Sequence, residues 1–212
     1  MDVEQAVAWL RRLIYLDFRV FEEVRTNPTA TIPGVVIASG AILLSGIGGW
    51  LWWLVQGYSF SGDILVHSAL LGSLLASVLW LFAWMGIVYV MLTQIFRQRA
   101  YVEQLLRVMG LASSPMALIL FMFIPGISMA IGVGALALTF GLTTYAIRTV
   151  TSADPAQVLV SNALGFFVWV AALTLLASSG AGSVQPHAPG VFLFNTLASI
   201  SNDILNSTPP VQ

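Results

Sequence analysis

Between Arg25 and Arg97 the only formally charged side chain is Asp63, and between Arg107 and Arg148 there is none. Apolar runs of this length exceed what a helix in a soluble core needs, and they match the ~20 residues that cross a bilayer. Only 8% of the residues are charged and 58% are hydrophobic, against roughly 25% charged in soluble domains. The chain therefore reads as a polytopic membrane protein. All eight basic residues are arginines, at positions 11, 12, 19, 25, 97, 99, 107 and 148. Basic residues near span ends are retained on the cytoplasmic side, so the topology must bring these eight to one side.

That condition orders the chain. Residues 2–26 are amphipathic: Val3, Val7, Leu10, Leu13, Ile14, Val20, Phe21 and Val24 recur at helical spacing among charged residues. Asp17 is the expected N-cap dividing two short helices. The segment is either a membrane-surface or partner-docking element, or a helix pair packed on the protein's own loops. Asn27-Pro28 marks a turn. Spans follow at about 32–55, 64–92, 112–126, 128–147 and 157–178. Trp50, Trp52 and Trp53 would form an aromatic belt at the far end of the first, while Trp80 and Trp84 lie too deep for one. Residues 93–114 read as a cytoplasmic linker with a short helix ended by Gly110. Pro125-Gly126 lies in the uncharged stretch 111–150, which would hold two short spans or one kinked helix with a re-entrant piece. Two crossings return Arg148 to the side of the other arginines, so two are expected. Asp154-Pro155 would start the last helix.

The expected fold is all-α: a polytopic integral membrane bundle of five transmembrane helices, N-terminus cytoplasmic and C-terminus exterior. Residues 1–31 form a cytoplasmic amphipathic segment, 32–178 the membrane domain, and 179–212 an exterior tail with a surface helix at 191–205.

No acidic or basic side chain falls inside any expected span, which argues against proton relays and charged pores. Small residues at four-residue spacing are candidate helix-packing faces. They are Ala41, Ser45 and Gly49; Ser68, Gly72 and Ala76; Gly134 and Gly141, the latter spaced from Ala137; and Ser161 and Gly165. Such faces serve packing within one bundle or association with other membrane-protein subunits. Asn162 should hydrogen-bond to a neighbouring helix. His67 is a weak cofactor-binding candidate, since His187 is the only other histidine and no second ligand is in view; no cofactor or metal is expected. Asn206-Ser207-Thr208 is an acceptor sequence for N-glycosylation that matters only in a eukaryotic secretory pathway. Net charge is −1 with no cysteine, so neither a basic field for nucleic acid nor thiol chemistry is available. No nucleophile–base pair or paired carboxylates stand out, and no enzyme is expected.

Three segments carry a likeness. Leu16–Thr31, LDFRVFEEVRTNPTAT, leads straight into the first span. Tyr101–Pro115, YVEQLLRVMGLASSP, is the second, and Ile124-Pro125-Gly126 breaks the third span from the fourth. With a charged N-terminus, five closely spaced spans and an exterior C-terminus, the chain resembles the Yip family (Ypt/Rab-interacting-protein type) in its bacterial form, over about residues 16–178. The resemblance implies a non-enzymatic membrane protein. Leu111 stands where the family has Tyr after the glycine, and the acidic Asp-Leu-x-Gly-Pro element is missing, so binding of a Rab-type GTPase is not carried over. The expected function is a membrane scaffold or adaptor in a bacterial cytoplasmic (inner) membrane, in contact with membrane lipid. Its cytoplasmic partner face would comprise Glu22, Glu23, Arg25, Arg97, Arg99, Glu103 and Arg107. The alternatives are an accessory subunit of a respiratory or photosynthetic complex and a neutral-solute transporter.

Overall fold

The computed structural model describes residues 3–55 and 70–179. Asp63, His67, Ser68, the first turns of the second span and the whole tail with its expected 191–205 helix lie outside the described residues. Within them the chain is helical, with no strand. Five helical runs are long and apolar enough to cross a membrane: Pro28–Trp52, Gly72–Ile95, Val102–Phe123, Ser128–Val150 and Pro155–Leu173. Among the described residues the protein is all-helical, and its five apolar runs suit an integral membrane protein.

The N-terminal segment forms α1, Val3–Ile14, and α2, Val20–Thr26. Asp17 lies in the joint but is not the N-cap, a position held by Arg19 without a side-chain bond. Its carboxylate instead accepts the Arg19 backbone N–H at 3.2 Å and pairs with Arg12 Nε at 2.8 Å. Asn27 then caps a single 3₁₀ turn, Pro28–Ala30, by accepting the N–H of Thr29 at 3.0 Å. This turn feeds directly into the first spanning helix, Thr31–Val55.

The second span is not a regular α-helix. Wide π-helical stretches at Trp80–Met85 and Met91–Ile95 alternate with α-helix at Gly72–Leu79 and Gly86–Val90. The third run begins ten residues before the expected 112. It is α-helical over Val102–Ala112 and 3₁₀ over Ser114–Phe123. Gly110 does not end it. The change of helix type falls at Pro115, which has no N–H to give to the carbonyl four residues back. Ser113 Oγ takes up the carbonyl of Met109 at 2.8 Å. At 1.5 Å per α residue and about 2.0 Å per 3₁₀ residue the run reaches ~36 Å, enough for a ~30 Å hydrocarbon core.

The turn at Pro125-Gly126 is present, with Gly126 at φ +85°, a conformation that favours glycine. Ile119 and Met122 before it pack on Ala135 after it, so the two runs fold back on one another. The fourth helix is Ser128–Val150 and the fifth Pro155–Ser179. The fifth starts in a capping box. Asp154 accepts the N–H of Ala156 at 2.8 Å, Gln157 Oε1 accepts the N–H of Asp154 at 3.3 Å, and Pro155 takes the first helical position.

Three hydrogen bonds tie segments far apart in sequence at one end of the bundle. They run from Arg107 to Thr31, from Arg25 to the Thr149 carbonyl, and from Ser152 to Gln98. Every arginine therefore belongs to segments gathered at that end.

Candidate functional site

Two polar centres hold the bundle. The first sits at the arginine end and is built on Arg107, which the sequence assigns to an outward partner face. The residue is 6% exposed. Its Nε donates to Thr31 Oγ1 at 2.8 Å, one terminal nitrogen to the Arg25 carbonyl at 3.1 Å, and the other to Glu103 Oε2 at 3.0 Å. The planar guanidinium fork thus joins the third run, the end of α2 and the start of the first span. Arg25 continues the chain of contacts. It pairs with Glu22 at 3.0 Å and donates to the Thr149 carbonyl at 2.6 Å. That carbonyl lies in the last turn of the fourth helix, where backbone oxygens lack helical partners and a cation is favourable.

The rest of the N-terminal segment packs on the same end. Ala6, Trp9 and Leu13 form the buried stripe of α1. The Trp9 indole donates to Glu23 Oε1 at 2.8 Å, and Arg12 pairs with both Asp17 and Glu23. The Trp9 indole and then the Arg12 guanidinium hold the Glu23 carboxyl below its ordinary range. Arg12 does the same for Asp17. Val20, Phe21 and Val24 of α2 are buried, and the rings of Phe18 and Phe21 lie 5.2 and 5.9 Å from Tyr145 on the fourth span. The second possibility read from the sequence, a helix pair packed on the protein itself, describes this inner face.

The second centre is Asn162, fully buried on the fifth span. Its Oδ1 accepts the Trp84 indole N–H at 2.8 Å. Its Nδ2 reaches Thr143 Oγ1 at 2.9 Å, Thr144 Oγ1 at 2.8 Å and the Phe140 carbonyl at 3.2 Å. The amide thereby links the second, fourth and fifth spans. Aromatic rings enclose it: Trp84 stacks edge-on to Phe166 at 5.0 Å and lies 5.4 Å from Trp169. Trp169 donates to the Ala76 carbonyl at 3.1 Å. Both Trp80 and Trp84 are buried rather than lipid-facing.

The small residues divide between inside and outside. Ala41, Ser45, Ala76, Ser161 and Gly165 are buried. A methyl group on Gly165 would stand 2.6 Å from the Trp84 carbonyl oxygen. On the first span the closest approach is at Gly48 rather than Gly49: a Cβ there would meet the Ile119 carbonyl at 2.3 Å. Gly110, expected as a helix stop, instead lies backbone to backbone with Gly34, where a Cβ would come within 2.3 Å of the Gly34 oxygen. Gly134 and Gly141 have open space on their side-chain side, Gly141 being exposed, and Gly72 is half-buried.

Of the expected partner-face residues, Glu22, Glu23, Arg97, Arg99 and Glu103 remain on the surface, Arg25 is half-buried and Arg107 is buried. Arg11, Arg19, Arg97, Arg99 and Arg148 are exposed and form no ion pair with a described carboxylate. No group of metal-binding side chains occurs among the described residues. Among the described internal polar groups, Arg107 and Asn162 are bonded to neighbours while the buried Trp80 indole N–H has no partner, and the arginine end presents positive charge outward. Comparisons with protein-family models, with curated proteins and with solved structures give no match to this chain.

Proposed function

We propose that this protein is a non-enzymatic membrane scaffold whose arginine-bearing end faces the cytoplasm and docks another protein. The positive-inside tendency supports that orientation, and a bacterial inner membrane fits the resemblance. The carrying observation is the Arg107 centre. It fixes α2 to the first and third spans and so holds Glu22, Arg97, Arg99 and Glu103 at one end of a rigid bundle. A preorganised surface loses less entropy on binding than a loose tail. A Rab-type GTPase is not the partner proposed: Leu111, at the position of the family's Tyr, is buried.

The test is mild purification from the native membrane with mass spectrometry of what co-elutes, repeated after deleting residues 1–26. Soluble cytoplasmic proteins recovered with the full chain and lost with the deletion would support the scaffold. Co-elution unchanged by the deletion would sink it. The second reading, an accessory subunit of a larger membrane complex, draws on the open small-residue surface at Gly134 and Gly141. It requires membrane subunits in fixed ratio in the same experiment.

A further inference from the structure

We propose that the last turn of α1 and the joint that follows it lie in the headgroup region of the protein's own bilayer, where they bind anionic lipid. The inner face of α1 is occupied by its own chain, through Ala6, Trp9 and Leu13. The exposed positions of the helix are Glu4, Val7, Ala8, Arg11 and Ile14, so its outward face is mixed and becomes apolar only at its C-terminal end. Val7 and Ile14 are seven residues apart on one stripe, and Ile14, Tyr15 and Leu16 are exposed by 79%, 73% and 71%. Leu16 is placed there at φ +59°, a left-handed conformation unfavourable for a leucine. The Arg12–Asp17 pair spans that joint and holds it. Two backbone bonds close it as a helix C-cap, Leu16 N–H to the Leu13 carbonyl at 2.9 Å and Asp17 N–H to the Arg12 carbonyl at 3.0 Å, and the cap leaves three large apolar side chains facing outward.

The depth of this patch follows from its neighbour. Phe18, two residues beyond Leu16, packs against Tyr145, which is itself part-exposed on the flank of the fourth span. Tyr145 precedes the helix end at Val150 by five residues, or about 7.5 Å. Headgroup regions occupy roughly 5–8 Å on each side of the hydrocarbon core, and aromatic side chains concentrate there. Tyr15, Phe18 and Tyr145 thus make an interfacial belt at the arginine end, with Ile14 and Leu16 directed at the acyl boundary.

Charge selects the lipid. Arg11 sits 6.0 Å from the centre of the Tyr15 ring, and the guanidinium of neither Arg11 nor Arg19 forms an ion pair with a described carboxylate, although the Arg19 backbone N–H rests on Asp17. An apolar stripe flanked by unpaired arginines is what an interfacial helix presents to anionic headgroups. This inference goes beyond the scaffold reading. The test contains no partner protein, so failure of one leaves the other standing.

The chain has no cysteine, so single probes can be placed without background. Ile14→Cys, Leu16→Cys and, as a control at the far N-terminal end of α1, Glu4→Cys are labelled with an environment-sensitive fluorophore. The full chain is reconstituted in vesicles of phosphatidylcholine with and without phosphatidylglycerol. The expected result is quenching of the labels at 14 and 16 by a nitroxide-bearing lipid and their shielding from aqueous iodide. Both effects should be stronger with phosphatidylglycerol, and the label at 4 should stay open to iodide. Replacing Arg11 and Arg19 by Gln should reduce the anionic-lipid preference about fivefold per arginine. Added salt should weaken it in the unsubstituted background, which keeps the test valid if the double variant folds poorly. Labels at 14 and 16 as open to iodide as the label at 4 would overturn the proposal. So would shielding indifferent to phosphatidylglycerol, or shielding that grows with protein density in the vesicle, which would indicate a second copy.

Discussion

Arg107 and Asn162 do the same job at different depths. Each is one buried polar side chain whose bonds join its own helix to two other segments. Asn162 is neutral and all its partners lie on spans. Arg107 is charged, and its partners include the N-terminal segment and Glu103, whose side chain is 75% exposed. Hydrogen bonds to charged groups contribute about 1.5–3 kcal/mol, whereas side-chain bonds between helices in lipid average about 0.6 kcal/mol. The structure therefore concentrates its polar stabilisation at the end of the bundle, where one partner of the ion pair keeps its hydration, and uses only neutral groups within.

The largest expected effect follows from that asymmetry. Arg107→Leu should cost about 3 kcal/mol, read as a lower unfolding midpoint in detergent together with faster proteolysis of residues 3–26. Equal losses for Arg107→Leu and Asn162→Leu would break the comparison. Next comes Gly110→Ala. Its Cβ would stand 2.3 Å from backbone rather than from a movable side chain, so the first and third helices must separate, at about 2 kcal/mol. Asn162→Leu should cost about 1 kcal/mol. A double-mutant cycle with Trp84→Phe should show coupling, because the first change already leaves the Trp84 indole without its acceptor. Additive losses would mean that the indole bond contributes nothing.

Acid should separate the two centres more gently. The carboxyls of Glu23 and Asp17 are depressed in the folded protein. Their contribution is complete above the ordinary carboxylate pKa of about 4, and it is lost as pH falls through the lower folded values. Below about pH 4, α1 should loosen from α2, seen as falling anisotropy of a probe at Ala8→Cys. The bonds from Arg107 to Thr31 and to the Arg25 carbonyl involve no carboxyl group, so α2 should stay docked. Smallest is Gly141→Ala, which meets open space and should shift the midpoint of the isolated chain by no more than about 0.5 kcal/mol. A larger loss in native membranes than in detergent would point to a neighbouring subunit at that surface.

Much of this fold is legible in the sequence, and the misreadings share a cause. Asn162 stands out because a lone amide in an apolar run must find a partner. Arg107 does not, because a charge beside Glu103 and near two further arginines looks like a hydrated linker. That reading delayed the third span by ten residues and made Gly110 a stop. The offset between Gly49 and Gly48 is geometric. Two steps of four residues rotate about 80° around a helix, whereas seven residues from Ala41 to Gly48 return to within about 20°. Gly34, Ala38, Ala41, Ser45 and Gly48 are accordingly buried, together with Pro33, Ile42 and Gly46. The π-helical turns of the second span have no signature in composition, since they depend on what the neighbouring helices admit.

The sequence by itself determined five apolar runs, the gathering of arginines at one end, the turn at Asn27-Pro28, the helix start at Asp154-Pro155, and the break at Pro125-Gly126. These follow from transfer free energy and local backbone chemistry, which each segment carries alone. Tertiary structure decided which charge is buried, which glycine touches another backbone, and which face of α1 is left outward. Those outcomes depend on groups tens of residues away, as when Arg107 meets Thr31 and Arg25, because hydrogen-bond partners and steric fit exist only between surfaces already brought together.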